Sequence, residues 1–166
     1  MASDARTVLN AIVTKLQTAN GAGVYHNDLS ATNRVVIGRP TEPGTVPQVF
    51  VFHAGMRSEQ QPGREYLGAY RRVLTVGIVG FVAGTTDSSS DALLAACDLY
   101  DDICSAIEND RGLGITSGTS TGQIPGGIID VMLQGEAIEG SELDMPAEVG
   151  LVVASCEVAW RVTRGA

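Results

Sequence analysis

Tyr70-Arg71-Arg72-Val73-Leu74-Thr75-Val76-Gly77-Ile78-Val79-Gly80-Phe81-Val82-Ala83 decides the fold. Alternation assigns Leu74, Val76, Ile78 and Val82 to one face of a strand and Val73, Val79 and Phe81 to the other. The strand is longer than the usual five or six residues. At roughly 3.3 Å per residue it reaches about 40 Å. Both faces are apolar, so both need cover. Two helices comfortably cover one face of such a sheet; the other is closed by loops or by another subunit.

Toward the N-terminus, Gln48 to Met56 is rich in Val and Phe and predicts a partner strand. Arg57 to Ala69 between the two is polar, with Pro62-Gly63 near its middle, so the pair forms a hairpin with a long arm at about 57–69. Ser3 or Asp4 caps a first helix reaching about Thr18, with Val8, Leu9, Ile12, Val13 and Leu16 as its apolar stripe. Asn20-Gly21 stops it. Arg34 to Ile37 predicts a short extended segment, and Pro40, Pro43, Gly44 and Pro47 an irregular link.

Toward the C-terminus, Thr85 to Ser90 offers N-caps for a second helix ending near Asp110. Leu93, Ala96, Cys97, Tyr100, Ile103, Cys104 and Ile107 form its expected core stripe. Asp91, Asp98, Asp101, Asp102 and Glu108 fall largely on the remaining surface, as a solvated face or a partner contact. The Gly-, Ser- and Thr-rich stretch 111–127 reads as a mobile loop. Ile128 to Ile138 predicts a strand with Ile129, Val131 and Leu133 inward and Asp130, Gln134 and Glu136 outward. After a polar loop, Glu139 to Glu148, the last strand alternates Val152, Ala154, Cys156, Val158, Trp160 and Val162 with Ser155, Glu157 and Arg161. The expectation is α+β: one domain over 1–166, a mostly antiparallel sheet of about four strands, and two main helices packed on one face.

Composition agrees with a folded domain. The 166 residues are 44% apolar and 18% charged, enough to bury a core without metal or disulfide support. Net charge is −8, unevenly spread: residues 1–80 carry eight basic and five acidic groups (8 − 5 = +3), and residues 81–166 three basic and fourteen acidic (3 − 14 = −11). Such asymmetry suits head-to-tail contact between copies of one chain, or is a solvated acidic helix plus scattered Arg. An acidic chain without a basic stripe is a poor nucleic-acid binder. Cys97, Cys104 and Cys156 are odd in number and lack CxxC spacing, so they read as small buried hydrophobes in a reducing compartment. Asp4 falls early with no apolar stretch behind it, which predicts no signal peptide. Val73 to Gly84 is too short for the roughly 20 residues of a membrane span, so a soluble protein is expected.

No catalytic signature emerges. There is no GxxxxGK[ST], and Gly112-Leu113-Gly114 follows a helix and has Ser117 where a dinucleotide fingerprint needs glycine. His26 and His53 have no GxSxG elbow to serve. Asp101-Asp102 and the pair Glu136/Glu139 are adjacent acids without a visible apolar pocket, and calcium loops of the DxDxDG kind are absent. Catalytic, cofactor and metal residues are therefore expected to be none. The densest functional-looking cluster is Arg57, Arg64, Tyr66, Tyr70, Arg71 and Arg72 on the arm. Arg with Tyr can stack nucleic acid but is also enriched at protein interfaces. Glu59 and Glu65 beside it favour the protein interface.

The order of elements resembles the tail terminator, or tail-completion, proteins of long-tailed bacteriophages. The features that carry the resemblance are the helix Ala5 to Leu16, the strand Pro47-Gln48-Val49-Phe50-Val51-Phe52, the strand Arg71-Arg72-Val73-Leu74-Thr75-Val76 after a polar arm, the helix Ala92 to Ile107 centred on Asp101-Asp102-Ile103, and the closing Cys156-Glu157-Val158-Ala159-Trp160-Arg161. The resemblance implies a virion subunit that assembles in the host cytoplasm as a homo-hexameric ring. That ring would sit on the last ring of tail-tube protein, stop tube growth and face the neck or connector protein, with DNA only passing through its lumen. It implies no membrane partner and no catalytic residues. Another neck ring, of the head–tail joining or stopper kind, is the near alternative; a small-molecule-binding α+β domain or an enzyme without a familiar motif is the distant one.

Overall fold

The structure, a computed structural model, describes residues 3–60, 69–85, 89–140, 145–146 and 148–163. Helix α1 spans Asp4–Leu16 and strands follow as β1 (Val35–Ile37), β2 (Gln48–Gln60) and β3 (Ala69–Ala83). Helix α2 (Ser89–Glu108) then leads to β4 (Ile128–Glu139) and β5 (Val149–Thr163). The Ser3 hydroxyl starts α1 by accepting from the Arg6 N–H at 3.3 Å. Asp4 in the first turn and Lys15 in the last complement the helix dipole.

One five-stranded sheet has the order β1-β2-β3-β5-β4. The segment expected to be merely extended supplies the fifth strand: Val35, Val36 and Ile37 pair in parallel with Val49, Phe50 and Val51. All other neighbours are antiparallel. Strands β3 and β4 are each antiparallel to β5, so they run parallel to one another, with α2 as the crossover between them. The fold is α+β.

The central strand has the two apolar faces its sequence predicts. On one side, Leu74, Val76, Ile78 and Val82 join Val49, Val51, Val152, Cys156, Val158 and Trp160 in a cluster with Val8, Ile12 and Leu16 of α1 and Ala96, Leu99, Ile103 and Ile107 of α2. Two glycines permit the close fit. A Cβ on Gly80 would lie 2.8 Å from Leu99 Cδ2, and one on Gly150 would collide with the Ala92 backbone oxygen and come within 3.0 Å of the Ala96 Cβ. On the other side, Phe50, Phe81 and Leu151 form a second, smaller cluster. Phe50 and Phe81 meet edge to face at 5.9 Å. Val46, from the irregular link, and Met145 pack on this cluster. Loops therefore close this end of the second face.

Four expectations need correction. In α2 the buried apolar residues are Ala92, Ala96, Leu99, Ile103, Ala106 and Ile107, whereas Leu93, Tyr100 and Cys104 are half-buried and Cys97 is exposed. The unbroken apolar run Leu93 to Cys97 allows more than one helix rotation, and the approach of Gly150 selects the small Ala92/Ala96 face. Only Cys156 is a buried cysteine; burial pushes its thiol up to about 12. Stretch 111–127 contributes side chains to the core, which its composition does not suggest. Leu113, Ile115 and Ile124 belong to the main core. The Ile124 N–H donates to the Thr116 carbonyl, and Gln123 Nε2 to the Thr116 hydroxyl at 3.1 Å. Finally, Ile129 is 44% exposed because the β4–β5 register shifts between Ile128 and Asp130. That bulge turns Ile129 outward and leaves Ile128, Val131 and Leu133 packed on the core.

Candidate interaction surface

Of the six arm residues, Arg64 and Tyr66 lie outside the described residues. The other four stand on the far end of the β2–β3 hairpin, and the strand pleat divides them. Cross-strand register aligns Arg57 with Val73, and Glu59 with Arg71, on the side away from the helices' cluster. Arg57 Nε donates to Glu59 Oε1 at 2.8 Å, its Nη1 to Glu157 Oε1 at 2.8 Å, and Arg71 Nε to Glu59 Oε2 at 3.0 Å. This four-residue ladder lies over Val73, which is only 2% exposed. Two guanidiniums hold the Glu59 carboxyl below the usual carboxylate range, through the hydrogen bonds from Arg57 and then Arg71. The same carboxylates push the Arg57 guanidinium further up.

Tyr70 and Arg72 project to the opposite side. Arg72 Nη2 donates to the Tyr70 hydroxyl at 3.1 Å, and the guanidinium stands 5.6 Å from the Tyr70 ring centroid. Adjacent residues of a strand cannot share a face, so the cluster seen in sequence is two surfaces. One is an internally neutralised ladder; the other is an Arg on a Tyr.

A polar residue that sequence reading placed on a solvated helix face turns out to be central. Asp102 is fully buried on α2. Its Oδ1 accepts from the His26 N–H and its Oδ2 from the Asn27 N–H and Asn27 Nδ2, each at 2.8 Å. The carboxylate thus satisfies two backbone donors of the α1–β1 connection from 75 residues away. His26 contributes a backbone N–H to this clamp, and its own position is exposed. His53 is also exposed, beside the bulge in β2. Nothing local in the sequence distinguishes Asp102 from Asp101. Its only signal is position: it falls with Leu99, Ala106 and Ile103 on the buried arc of the helix.

Topology converts the charge asymmetry of the sequence into a polarity across the sheet. Strands β1, β2 and β3 come from the basic half of the chain and occupy one flank; β5 and β4 come from the acidic half and occupy the other. Strand β4 carries Asp130, Glu136 and Glu139 and no basic residue. Both flanks end in open edges among the described residues. Strand β1 covers only Val49–Val51, leaving β2 from Phe52 to Gln60 without an outer partner, and β4 has none along its length. Exposed apolar side chains sit on these edges: Met56 on β2, and Ile129 and Met132 on β4.

Among the described residues no group of three or more His, Cys, Asp or Glu is placed to hold a metal ion. No helix among them is long and apolar enough to cross a membrane. No protein-family model matches the chain, and no curated protein does. Among solved structures it is similar to a chain of the "Virion of native gene transfer agent (GTA) particle", with a TM-score of 0.54 and 12% identity over 95% of this chain and 98% of that one. The chain shares its α+β fold, nearly end to end, with a component of that virion particle.

Proposed function

We propose that the protein is a structural subunit of a tailed virion. Copies of it form a ring, a hexamer by the resemblance noted above, that caps the tail tube, ends its polymerisation and presents its other face to the neck. The observation that carries this reading is the whole-chain likeness to a virion component. The surface supports it: the two flanks of the sheet have opposite charge character and open edges, the arrangement a head-to-tail ring uses. Several polar side chains of the described region serve its own architecture. Asp102 clamps a loop, Glu59 and Glu157 neutralise arginines, and Lys15 pairs with Asp110 at 2.8 Å. Arg57, Tyr70, Arg71 and Arg72, with Arg64 and Tyr66, are the residues assigned to subunit or tube contacts. No catalytic role is assigned to any residue.

The test is to purify the chain, measure its mass in solution, and image it by electron microscopy after mixing with tail tubes. The expected result is rings, either free or formed on tube ends. A chain that stays monomeric and leaves tube ends bare would overturn the reading.

A further inference from the structure

We infer that copies join by extending the sheet: the N-terminal half of β4 in one copy pairs with the open part of β2 in the next. This rests on the ring reading above and specifies the contact.

The geometry begins with the strand senses. Strand β2 is antiparallel to β3, β3 to β5, and β5 to β4, so β2 and β4 of one chain are antiparallel. Rotation about an axis roughly along the strands preserves those senses. In such a ring β4 of one copy meets β2 of the next in antiparallel fashion, the more stable ladder. Among the described residues neither stretch has an outer strand, the feature through which sheets recruit another strand, and on β4 the Val131 N–H is held meanwhile by Asp130 Oδ1 at 2.9 Å.

Register supplies the second argument. Arg57 pairs with Val73, Val73 with Ala159, and Ala159 with Asp130, so Arg57 and Asp130 occupy one transverse row at opposite edges of the sheet. Phe52, Gly77, Ser155 and Gln134 form another such row. A level junction therefore sets Asp130 of one copy against Arg57 of the next. It aligns Asp130–Gln134 with Phe52–Arg57, within the part of β2 that β1 leaves uncovered. Asp130 stands level with Arg57, whose guanidinium is turned over the sheet to Glu59 and Glu157, and Met132, 57% exposed, together with Ile129 loses solvent at the seam. An isologous pairing of two β4 edges would instead bring like acids together.

The experiment uses two single-cysteine reporters, Asp130→Cys and Arg57→Cys, both in a Cys97→Ser background that removes the exposed native thiol. Mixed under mild oxidation, the two chains are expected to yield a disulfide-linked dimer at least ~10-fold in excess of either chain alone, because directly opposed strand residues meet disulfide geometry. Hydrogen exchange on the wild-type assembly provides an independent reading: amides of 128–134 and 52–57 should slow on assembly, and those of α1 should not. If the wild type assembles but neither the heterotypic crosslink nor the protection appears, the seam is wrong and the ring reading stands. If the wild type never associates, the ring reading fails and the seam falls with it.

Discussion

Replacing Asp102 with Ala tests whether one buried carboxylate fixes the α1–β1 connection to the second helix. The substitution removes three hydrogen bonds, each 2.8 Å long, to a side chain with no exposed surface. Hydrogen bonds to a charged group contribute about 1.5–3 kcal/mol each, and the sum is bounded by what water can restore to the orphaned donors. His26 is exposed and Asn27 half-buried, so water reaches both backbone N–H groups once the loop shifts slightly. The expected loss is therefore about 3 kcal/mol, well below three full bonds. For a domain of this size that lowers the melting midpoint by about 6–12 °C. Asp102→Asn keeps one acceptor oxygen and is expected to lose about half as much. Asp101→Ala, one residue away and exposed, is expected to stay within about 0.5 kcal/mol of wild type. Urea melts of the three variants give the energies, and hydrogen exchange across residues 20–29 shows whether the loop is what loosens. An Asp102→Ala protein as stable as Asp101→Ala, with unchanged protection in the loop, would refute the clamp.

Other outcomes follow from packing and charge. Gly150→Ala forces a Cβ against the Ala92 carbonyl and should lose about 2–3 kcal/mol in thermal melts, whereas Gly55→Ala, which meets nothing within 4 Å, should be close to neutral. Ile124→Ala should lose about 2–4 kcal/mol because Ile124 is completely buried; a change under about 0.5 kcal/mol would show that Ile124 adds little to the core. Glu59 and Asp110 have carboxyls held below their ordinary values of 4.5 and 3.8, Glu59 by Arg57 and Arg71 and Asp110 chiefly by Lys15. Because those folded-state values are depressed, their contribution is full above the ordinary values and disappears as pH falls through the folded ones. The melting midpoint should therefore drop below about pH 4.5, less steeply in Glu59→Gln and in high salt. A maleimide should modify native Cys97 rapidly and leave Cys156 intact until the protein unfolds; equal rates would contradict the buried, raised-pKa thiol.

Legibility in the sequence followed the simplicity of each pattern. In β3 and β5 alternation assigns residues to the right faces: Leu74, Val76, Ile78, Val152, Cys156 and Val158 are all buried in the main core. Strand β1 was visible only as an extended segment, because three residues carry no periodicity and its partner is set by a parallel register. Helix α2 misled because Leu93 to Cys97 is apolar without interruption. Its rotation is decided by a glycine 50 or more residues away in β5. Ile129 was misplaced because a bulge shifts the parity of a strand by one, and alternation contains no mark of it. In 111–127 the apolar Leu113, Ile115 and Ile124 are diluted among Gly, Ser and Thr, yet all three reach the core. The arm cluster looked like one patch because Arg71 and Arg72 are neighbours in sequence; the pleat sends them to opposite sides. Asp102 could be found only after the buried arc of α2 was known.

The central claim is that this chain works by closing on copies of itself around a tube. The most direct measurement is the mass and shape of the purified protein, alone and with tail tubes, by sedimentation and electron microscopy. The account predicts closed rings of about six subunits by the family resemblance, free or seated on tube ends. A particle that remains a single chain under both conditions, with tube ends undecorated, would contradict it.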